Sequence, residues 1–463
     1  MKSITSRIPK LALAFLACLM VISSASESSA NNDDGGAFAQ PIAGVDVDAS
    51  GVLKIRQFDP RLAEARRRAA VRQADNDAMR PSELRKVSLN RLESIVAEHI
   101  EAGQPLPAEI RGLAGLTSIQ YVFFYPDTKD IVVAGPAEGF VADPTDRFVG
   151  IRTGKPVVLL EDLVTALRAY APGEKATRVI SVSIDPTQEG LVRMQRFLRS
   201  VGGHVQPGDA NRLAMGLKQN LGLQTVSVKG IPDSTHFARV LVEADYRMKL
   251  IGIGLEQLPV RVPSYVSRAN PSSVAANAME RWYFQPHYDG IAVSEDGLAM
   301  KIKERGVKLV GAHERVANNG KRVAGRGNRA SQAFCKDFTD KYDLIADRVR
   351  VYAELRQLID IAIAAAYIQD QDFYTQADWD MPVLSDESKV TVETYTAPEQ
   401  VETAVNAIWK GSTLMTPLGG GVQMQPRLAL NRDNLTIDTK GENNRVKKSA
   451  GPSDLKDGQW WWD

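Results

Sequence analysis

The spacing of hydrophobic positions changes several times along this chain, and each change predicts a different element. Apolar residues recur at helical spacing between Leu89 and Ile100, which predicts a helix. Two apolar runs then flank the turn sequence Pro-Asp-Thr-Lys at 126–129, in which proline presets a turn dihedral. We therefore predict a β-hairpin over 121–133.

Helical and strand patterns alternate from 157 to 258, which predicts an α/β layer. Residues 180–184 alternate isoleucine and valine with serine, as in a strand that is buried on one side. The sequence Asp-Pro-Thr-Gln at 185–188 opens the next helix, so we interpret Asp185 as its N-cap residue.

Strand patterns return between 282 and 302, where two Asp-Gly turns predict an antiparallel meander. Residues 330–347 and 351–370 then follow helical spacing, and the stretch from Ile361 to Ile368 is apolar on nearly every side. That pattern predicts a helix buried within a bundle.

The two strand-rich regions also align with each other at an offset of 160 residues. The aligned pairs are Phe124 with Phe284, Pro126 with Pro286, Ile131 with Ile291 and Val133 with Val293. We put forward a degenerate internal repeat as a hypothesis, which requires that 121–133 and 281–293 have equivalent strand partners and turns.

These patterns predict an α+β protein of mixed α/β character. Its parts are a helical N-terminal arm, a central α/β layer, an antiparallel β-meander and a C-terminal helical part. The predicted segments are a signal peptide at 1–30, a flexible leader at 31–60, a helical arm at 61–112, an α/β domain with a β-hairpin at 113–270, a β-meander plus helical domain at 271–430 and a disordered tail at 431–463.

The first thirty residues have the order of a secretory signal peptide. Three basic residues precede an apolar run at 11–22, and small residues follow it. The run is shorter than the roughly 20 residues that a membrane span needs. Cleavage after Ala25 and cleavage after Ala30 both fit. We expect export to the periplasm or the extracellular space, with no transmembrane segment left after cleavage.

Charge and cysteine content limit the partners and the disulfide bonds that the chain can have. The 57 Lys+Arg residues nearly balance the 56 Asp+Glu residues, so the composition does not favour nucleic acid as a partner. After cleavage Cys335 is the remaining cysteine, which rules out an intramolecular disulfide. We interpret Cys335 as a buried apolar residue beside Phe334 and Phe338, with a catalytic nucleophile as the alternative.

The chemistry-bearing residues form no recognised catalytic or metal motif. None of the five histidines has metal-ligand spacing to another histidine or cysteine, so we predict no metal and no cofactor. If the chain is an enzyme, its acid/base candidates are Asp185, Glu243, Asp245, His236 and His287. A cleft that holds two of these carboxylates with a histidine in hydrogen-bond reach would favour catalysis.

Two groups of residues are candidates for binding an anion or a partner. The first is the glycine-rich basic loop with Arg315, Lys321, Arg322, Arg326 and Arg329, for which a solvated loop is the alternative interpretation. The second is the aromatic tip of the polar tail, Trp460, Trp461 and Trp462, which we expect to dock on this chain or on a partner.

Four segments, taken in order, resemble a known family. They are 113–122, which leads to 134–139, followed by 183–190, 243–249 and 352–360. They resemble a family of exported proteins of unknown function found mainly in planctomycete bacteria, and the resemblance spans most of residues 85 to 430. It implies export and a mostly single folded unit, and it carries no activity, ligand or catalytic residue.

The function that the sequence favours is a non-enzymatic envelope or extracellular protein that binds another protein or a polymer. The alternative is a hydrolase that acts on cell-wall or extracellular polymer, with the acid/base candidates named above.

Overall fold

The part of the chain that the computed structural model describes contains two large mixed β-sheets, two two-stranded sheets and fourteen α-helices. The described residues are 42–73, 80–201, 207–269, 278–287, 290–303, 306–316, 322–324, 328–406, 408–410, 413–415, 421–431, 433–449 and 451–463. The predicted α+β class is confirmed. The predicted signal peptide at 1–30 lies outside the described residues.

The helices occur throughout the described sequence. They are α1 (Pro60–Gln73), α2 (Leu89–Glu101), α3 (Ala108–Arg111), α4 (Leu160–Ala169), α5 (Gln188–Val201), α6 (Ala210–Leu221), α7 (His236–Gly252), α8 (Tyr265–Arg268), α9 (Arg329–Asp340), α10 (Tyr342–Ala346), α11 (Arg350–Asp370), α12 (Phe373–Gln376), α13 (Pro426–Ala429) and α14 (Glu442–Ser449). Within these described helices, none combines the length and the apolar character needed to cross a bilayer.

The larger sheet has nine strands in the order β1-β2-β15-β9-β8-β18-β10-β13-β14. These strands are β1 (Ile42–Val47), β2 (Val52–Phe58), β8 (Ile180–Pro186), β9 (Leu223–Lys229), β10 (Ala278–His287), β13 (Gly306–Val316), β14 (Arg322–Ala324), β15 (Gln400–Glu402) and β18 (Gly421–Met424). The pairs β2/β15 and β10/β18 are parallel, and the other neighbours are antiparallel.

The smaller sheet has seven strands in the order β19-β11-β12-β4-β5-β3-β20. These strands are β3 (Ser82–Ser88), β4 (Tyr121–Tyr125), β5 (Asp130–Ala137), β11 (Ile291–Val293), β12 (Ala299–Ile302), β19 (Leu435–Ile437) and β20 (Trp461–Trp462). Two separate hairpins pair β6 (Phe140–Ala142) with β7 (Phe148–Gly150) and β16 (Ile408–Lys410) with β17 (Thr413–Met415).

Helix α11 lies in the main hydrophobic core. Its residues between Val351 and Ile368 are buried on nearly every side. The helix packs against α4, α7 and α13, so apolar side chains on all its faces find partners. The predicted buried helix at 351–370 is therefore confirmed. Cys335 on α9 is also buried, as predicted.

The β-hairpin predicted over 121–133 is confirmed, but the internal repeat is wrong. Strands β4 and β5 pair directly, with Phe124 opposite Ile131. In the second copy, β10 belongs to the nine-stranded sheet and β11 to the seven-stranded sheet. The two segments thus have different strand partners, and the predicted meander over 282–302 is divided between two sheets.

Several predicted segment types differ from the structure, in part because β2, β3 and β20 pair with strands that are distant in the sequence. Strands β1 and β2 form a hairpin within the segment predicted as a flexible leader. The predicted helical arm at 61–112 contains β3, which pairs with β5. The tail predicted as disordered contains α14 and ends in β20, which pairs with β3.

The interpretation of Asp185 as an N-cap is wrong. Residues 180–186 form β8, and α5 begins only at Gln188. Thr187 takes the capping role, because its Oγ1 accepts the backbone N–H of Gly190 at 3.0 Å. The Asp185 carboxylate instead pairs with Arg281 at 2.9 Å.

Candidate functional site

A cavity of about 840 Å³ lies at the N-terminal ends of α4 and α7. Its wall also includes residues 44–46 of β1, the turn at 144–148, two residues of α11 and parts of the segment 390–395. A volume of this size is typical of sites that bury a ligand the size of a drug molecule. Because its walls come from distant parts of the sequence, no single motif marks it.

His236 and Asp162 form the central pair of this cavity. His236 is the first residue of α7, whose N-cap Thr235 accepts the backbone N–H of Ala238 at 3.2 Å. Asp162 lies in the first turn of α4. The His236 Nδ1 lies 3.0 and 2.9 Å from the two Asp162 carboxylate oxygens. This contact fixes the ring and leaves Nε2 without a hydrogen bond to any described residue.

The pairing determines the charge of His236. Burial by itself lowers the pKa of an imidazole, but the Asp162 carboxylate, with contributions from Glu161 and Glu354, raises the pKa of His236 to about 9. His236 is thus an imidazolium at neutral pH, and its Nε2 is a hydrogen-bond donor at the cavity wall.

Glu161 and Tyr395 form a second polar pair in the wall. The Tyr395 hydroxyl donates to Glu161 Oε1 at 3.1 Å. Burial raises the pKa of Glu161, and the His236 charge opposes that increase. Burial also raises the pKa of Tyr395, so its hydroxyl keeps its proton. The rings of His236 and Tyr395 lie 5.8 Å apart, which joins the two pairs into one cluster.

Arg147 closes another part of the wall through buried ion pairs. Its Nη2 donates to Glu243 Oε2 at 2.5 Å, and its Nε lies 2.8 Å from Glu354 Oε1. Burial lowers the pKa of Arg147, but the two carboxylates more than compensate and raise it. Burial raises the pKa of Glu354 in spite of Arg147. These charges stabilise one another, so we assign this group to the framework of the cavity.

Two arginines of the cavity lie over aromatic rings. The Arg239 guanidinium carbon lies 5.5 Å from the centre of the Tyr395 ring, and that of Arg111 lies 5.2 Å from the centre of the Phe148 ring. Among the described residues, neither arginine has an acidic side chain within ion-pair distance. The rings orient both guanidinium groups and leave N–H groups for other partners.

The structure separates the predicted acid/base residues. His236 lines the cavity, whereas Glu243 is not a lining residue and forms an ion pair with the lining residue Arg147. His287 is the last residue of β10, and its side chain lies outside the described part. Among the described side chains, none of the candidate carboxylates (Asp185, Glu243 and Asp245) forms a hydrogen bond with His236. The described residues therefore do not form the arrangement that we expect of a catalytic site.

The other two candidates, Asp185 and Asp245, belong to a buried cluster between α7 and β8. Lys249 Nζ lies 3.3 Å from Asp245 and donates to the Ile184 carbonyl at 2.9 Å. Burial raises the pKa of Asp245 to about 6 and lowers the pKa of Lys249. Asp245 and Lys249 are almost fully buried, so we assign this pair to the attachment of α7 to the sheet.

The predicted basic loop is described only in part. The backbone of Arg315 lies opposite Val323, and that of Arg322 opposite Val316, in the β13–β14 ladder. Arg329 is exposed at the first position of α9. The other two cations, Lys321 and Arg326, lie outside the described residues. The hypothesis of an anion-binding loop stays a prediction.

The aromatic tip is packed on this chain, which was one of the two docking places expected for it. Trp460 and Trp462 are buried, and Trp461 is half-buried. Trp461 Nε1 donates to Glu109 at 2.6 Å, and Arg85 lies over its indole ring at 4.3 Å. The hypothesis that the tip also contacts a partner stays a prediction.

Sequence reasoning missed most of the cavity. Glu161 and Asp162 are ordinary in the first turn of a helix, because acidic residues complement the helix dipole there. Tyr395 lies in a segment without helix or strand, and Arg239 follows a common helical pattern. The sequence signal that pointed to the cavity was His236, which directly follows Thr235, the N-cap residue of α7. Over the described ranges, no group of three or more His, Cys, Asp or Glu side chains has the geometry to hold a metal ion.

A comparison with known protein families finds a match within the chain. Residues 182–265 match the model of a family described as a protein of unknown function (DUF1598). The matched residues run from β8 to the start of α8 and include His236, Glu243 and Asp245. No significant match was found among curated proteins or among solved structures. The resemblance to a family of unknown function is confirmed for these residues.

Proposed function

We propose that this protein is an exported, non-catalytic binding protein that holds a short segment of an envelope or extracellular polymer in the cavity. The observation that supports this proposal best is the Asp162–His236 pair, which fixes a hydrogen-bond donor at the wall of a cavity of ligand size. Export rests on the sequence of residues 1–30 and on the resemblance to exported planctomycete proteins.

The protonation states favour binding over catalysis. A general base works best with a pKa near the operating pH, whereas the pKa of His236 is raised to about 9. Tyr395 also holds its proton, because burial raises its pKa. The cavity therefore presents proton donors to a ligand, which suits recognition of acceptor oxygens.

The test compares retention on polymer between the full protein and a variant with a filled cavity. Thr394 is an exposed residue of the cavity wall, so Thr394→Trp fills space without removing a core contact. We expect its retention on insoluble envelope polymer from the host to fall at least tenfold, or roughly 1.4 kcal/mol. The matched control is Thr439→Trp, at an exposed threonine outside the cavity wall. Equal retention of all three proteins would contradict the proposal.

A hydrolase acting on cell-wall or extracellular polymer is the second candidate. It is favoured by one observation: Asp162 orients His236 through Nδ1 and leaves Nε2 for a substrate, as a carboxylate does for a catalytic histidine. The same polymer distinguishes the two functions. Release of soluble fragments by the protein, and its loss in His236→Gln, would establish hydrolysis; retention without fragments supports binding.

A further inference from the structure

We propose that the ligand of this cavity is an acidic saccharide and that Arg239, Arg111 and His236 bind its carboxylate groups. This inference rests on the proposed function and adds the chemistry that the site recognises. It depends on which charged side chains of the cavity wall already have hydrogen-bond or ion-pair partners and which do not.

Most acidic side chains of the wall already accept a hydrogen bond or pair with a cation. Asp162 binds His236, and Glu161 accepts from Tyr395. The carboxylates of Asp46 and Glu354 pair with arginines at 2.7 and 2.8 Å. The wall therefore offers a ligand few free acceptors, which disfavours a cationic ligand.

Three cationic side chains of the wall, in contrast, have no acidic partner among the described residues other than Asp162 on His236, and they keep free donors. Arg239 gives one N–H to the Val45 carbonyl, and the Arg111 side chain forms no hydrogen bond with a described residue. A guanidinium carries five N–H donors, so both groups retain donors in a planar fork. His236 adds its Nε2–H. Three donor groups with free N–H positions thus line one cavity.

The geometry of the two arginines favours a planar anion. Each guanidinium is held over an aromatic face, Arg239 on Tyr395 and Arg111 on Phe148. A stacked guanidinium loses little rotamer freedom when it binds, and its fork matches the two oxygens of a carboxylate. Because the arginines cover one face of each ring, less aromatic surface is left on which a neutral sugar could stack.

The remaining wall suits sugar hydroxyl groups. Thr145, Thr391 and Thr394 line the cavity. The hydroxyls of Thr145 and Thr391 donate to Asp143 and to the Glu387 carbonyl and can still accept, whereas the Thr394 hydroxyl has no hydrogen bond with a described residue and can do both. Thr391 and Thr394 are exposed, so they meet a ligand without a large desolvation cost. A polymer unit with one carboxylate and several hydroxyls, such as a uronic acid, uses both sets of groups.

The test is calorimetric titration of the full protein with a trimer of galacturonic acid and with its methyl ester, which has the same skeleton without the charges. We expect the acid to bind at least tenfold more tightly than the ester, and its affinity to fall as salt rises. Arg239→Gln and Arg111→Gln should each weaken binding of the acid about tenfold or more. The control Arg212→Gln changes an exposed arginine outside the cavity wall and should not affect it.

Four outcomes would overturn the inference. The first three are equal binding of acid and ester, no binding of the acid, and full affinity in Arg239→Gln. Inorganic phosphate that competes as well as the acid trimer would also overturn it, because the site would then recognise any oxyanion. If the acid fails to bind but Thr394→Trp still loses polymer retention, the proposed function stands and the carboxylate inference falls. If the filled cavity retains polymer normally, the proposed function fails as well.

Discussion

His236 and Asp162 join the first turns of two helices through one bifurcated contact, with Nδ1 at 3.0 and 2.9 Å from the carboxylate oxygens. The two residues are 74 positions apart in the sequence. The contact fixes the ring, raises its pKa so that it is charged at neutral pH, and uses Nδ1, so that Nε2 has no partner among the described residues. The first two predictions below depend on this pair.

Replacing Asp162 should release the proton of His236. In Asp162→Asn the burial that lowers the imidazole pKa remains, while the main carboxylate that raises it is gone. We expect the His236 pKa to fall well below 9, toward its ordinary value of 6.5. The measurement is NMR titration of the imidazole resonances.

Asp185→Asn is the matched control for that titration. It removes a carboxylate that pairs with Arg281 and is not a cause of the His236 shift. An unchanged His236 titration in Asp162→Asn would show that the contact does not set the charge of the ring.

The same pair should make stability depend on pH in a defined window. His236 has a pKa of about 9 in the folded state against 6.5 as the ordinary value. Below pH 6.5 both states are protonated, and the stabilisation is fully present; between pH 6.5 and 9 it is progressively lost as pH rises. The shift corresponds to roughly 3 kcal/mol. Urea unfolding at about pH 6 and about pH 9.5 measures it, and Asp162→Asn should remove this part of the pH dependence.

Removing Arg147 should destabilise the fold strongly. Arg147→Met removes the shortest ion pairs of the buried carboxylates Glu243 and Glu354 and leaves Glu243 only its longer contact with Arg247 at 3.6 Å. Removing the partner of a buried charge typically costs about 3–5 kcal/mol. Arg56→Met is the control, because it breaks an exposed pair with Asp46 and should cost no more than about 1 kcal/mol. Urea unfolding of both variants gives the comparison, and similar losses would refute a buried role for the Arg147 pairs.

The C-terminal strand should contribute to stability through its buried tryptophan. Trp462 packs against Phe123 and Val132 in a cluster of its own on the seven-stranded sheet. We expect Trp462→Ala to lower the free energy of unfolding by about 3–5 kcal/mol. Lys456→Ala, at an exposed position, should change it by less than about 0.5 kcal/mol. A stability unchanged by Trp462→Ala would mean that the strand is not attached in solution.

Sequence patterns predicted correctly the helices and strands whose conformation is determined by residues close to them in the sequence. The hairpin of β4 and β5 is closed by a short turn, and α11 shows its burial in its own apolar composition. Both predictions are confirmed because periodicity and turn chemistry decide them.

Such patterns could not predict which strands pair when the two strands are far apart in the sequence. Strand β15 lies between β2 and β9, and β18 lies between β8 and β10, although each joins the sheet from far along the chain. Short strands of three or four residues carry too little periodicity to reveal such neighbours. The cavity has the same origin, because Asp162 and Tyr395 reach His236 only after the sheets and helices have assembled.

Strand β20 is synthesised long after β3, the strand with which it pairs. Strand β20 covers one side of β3, and the Arg85–Asp463 ion pair beside it joins residues 378 positions apart. At a synthesis rate of about 5–20 residues per second, β3 waits roughly 20 to 80 s for this partner. During that time its unpaired edge is open to other chains. The interval between synthesis of the two strands, rather than the stability of the finished fold, therefore sets the shortest period for which this edge of β3 lacks its partner.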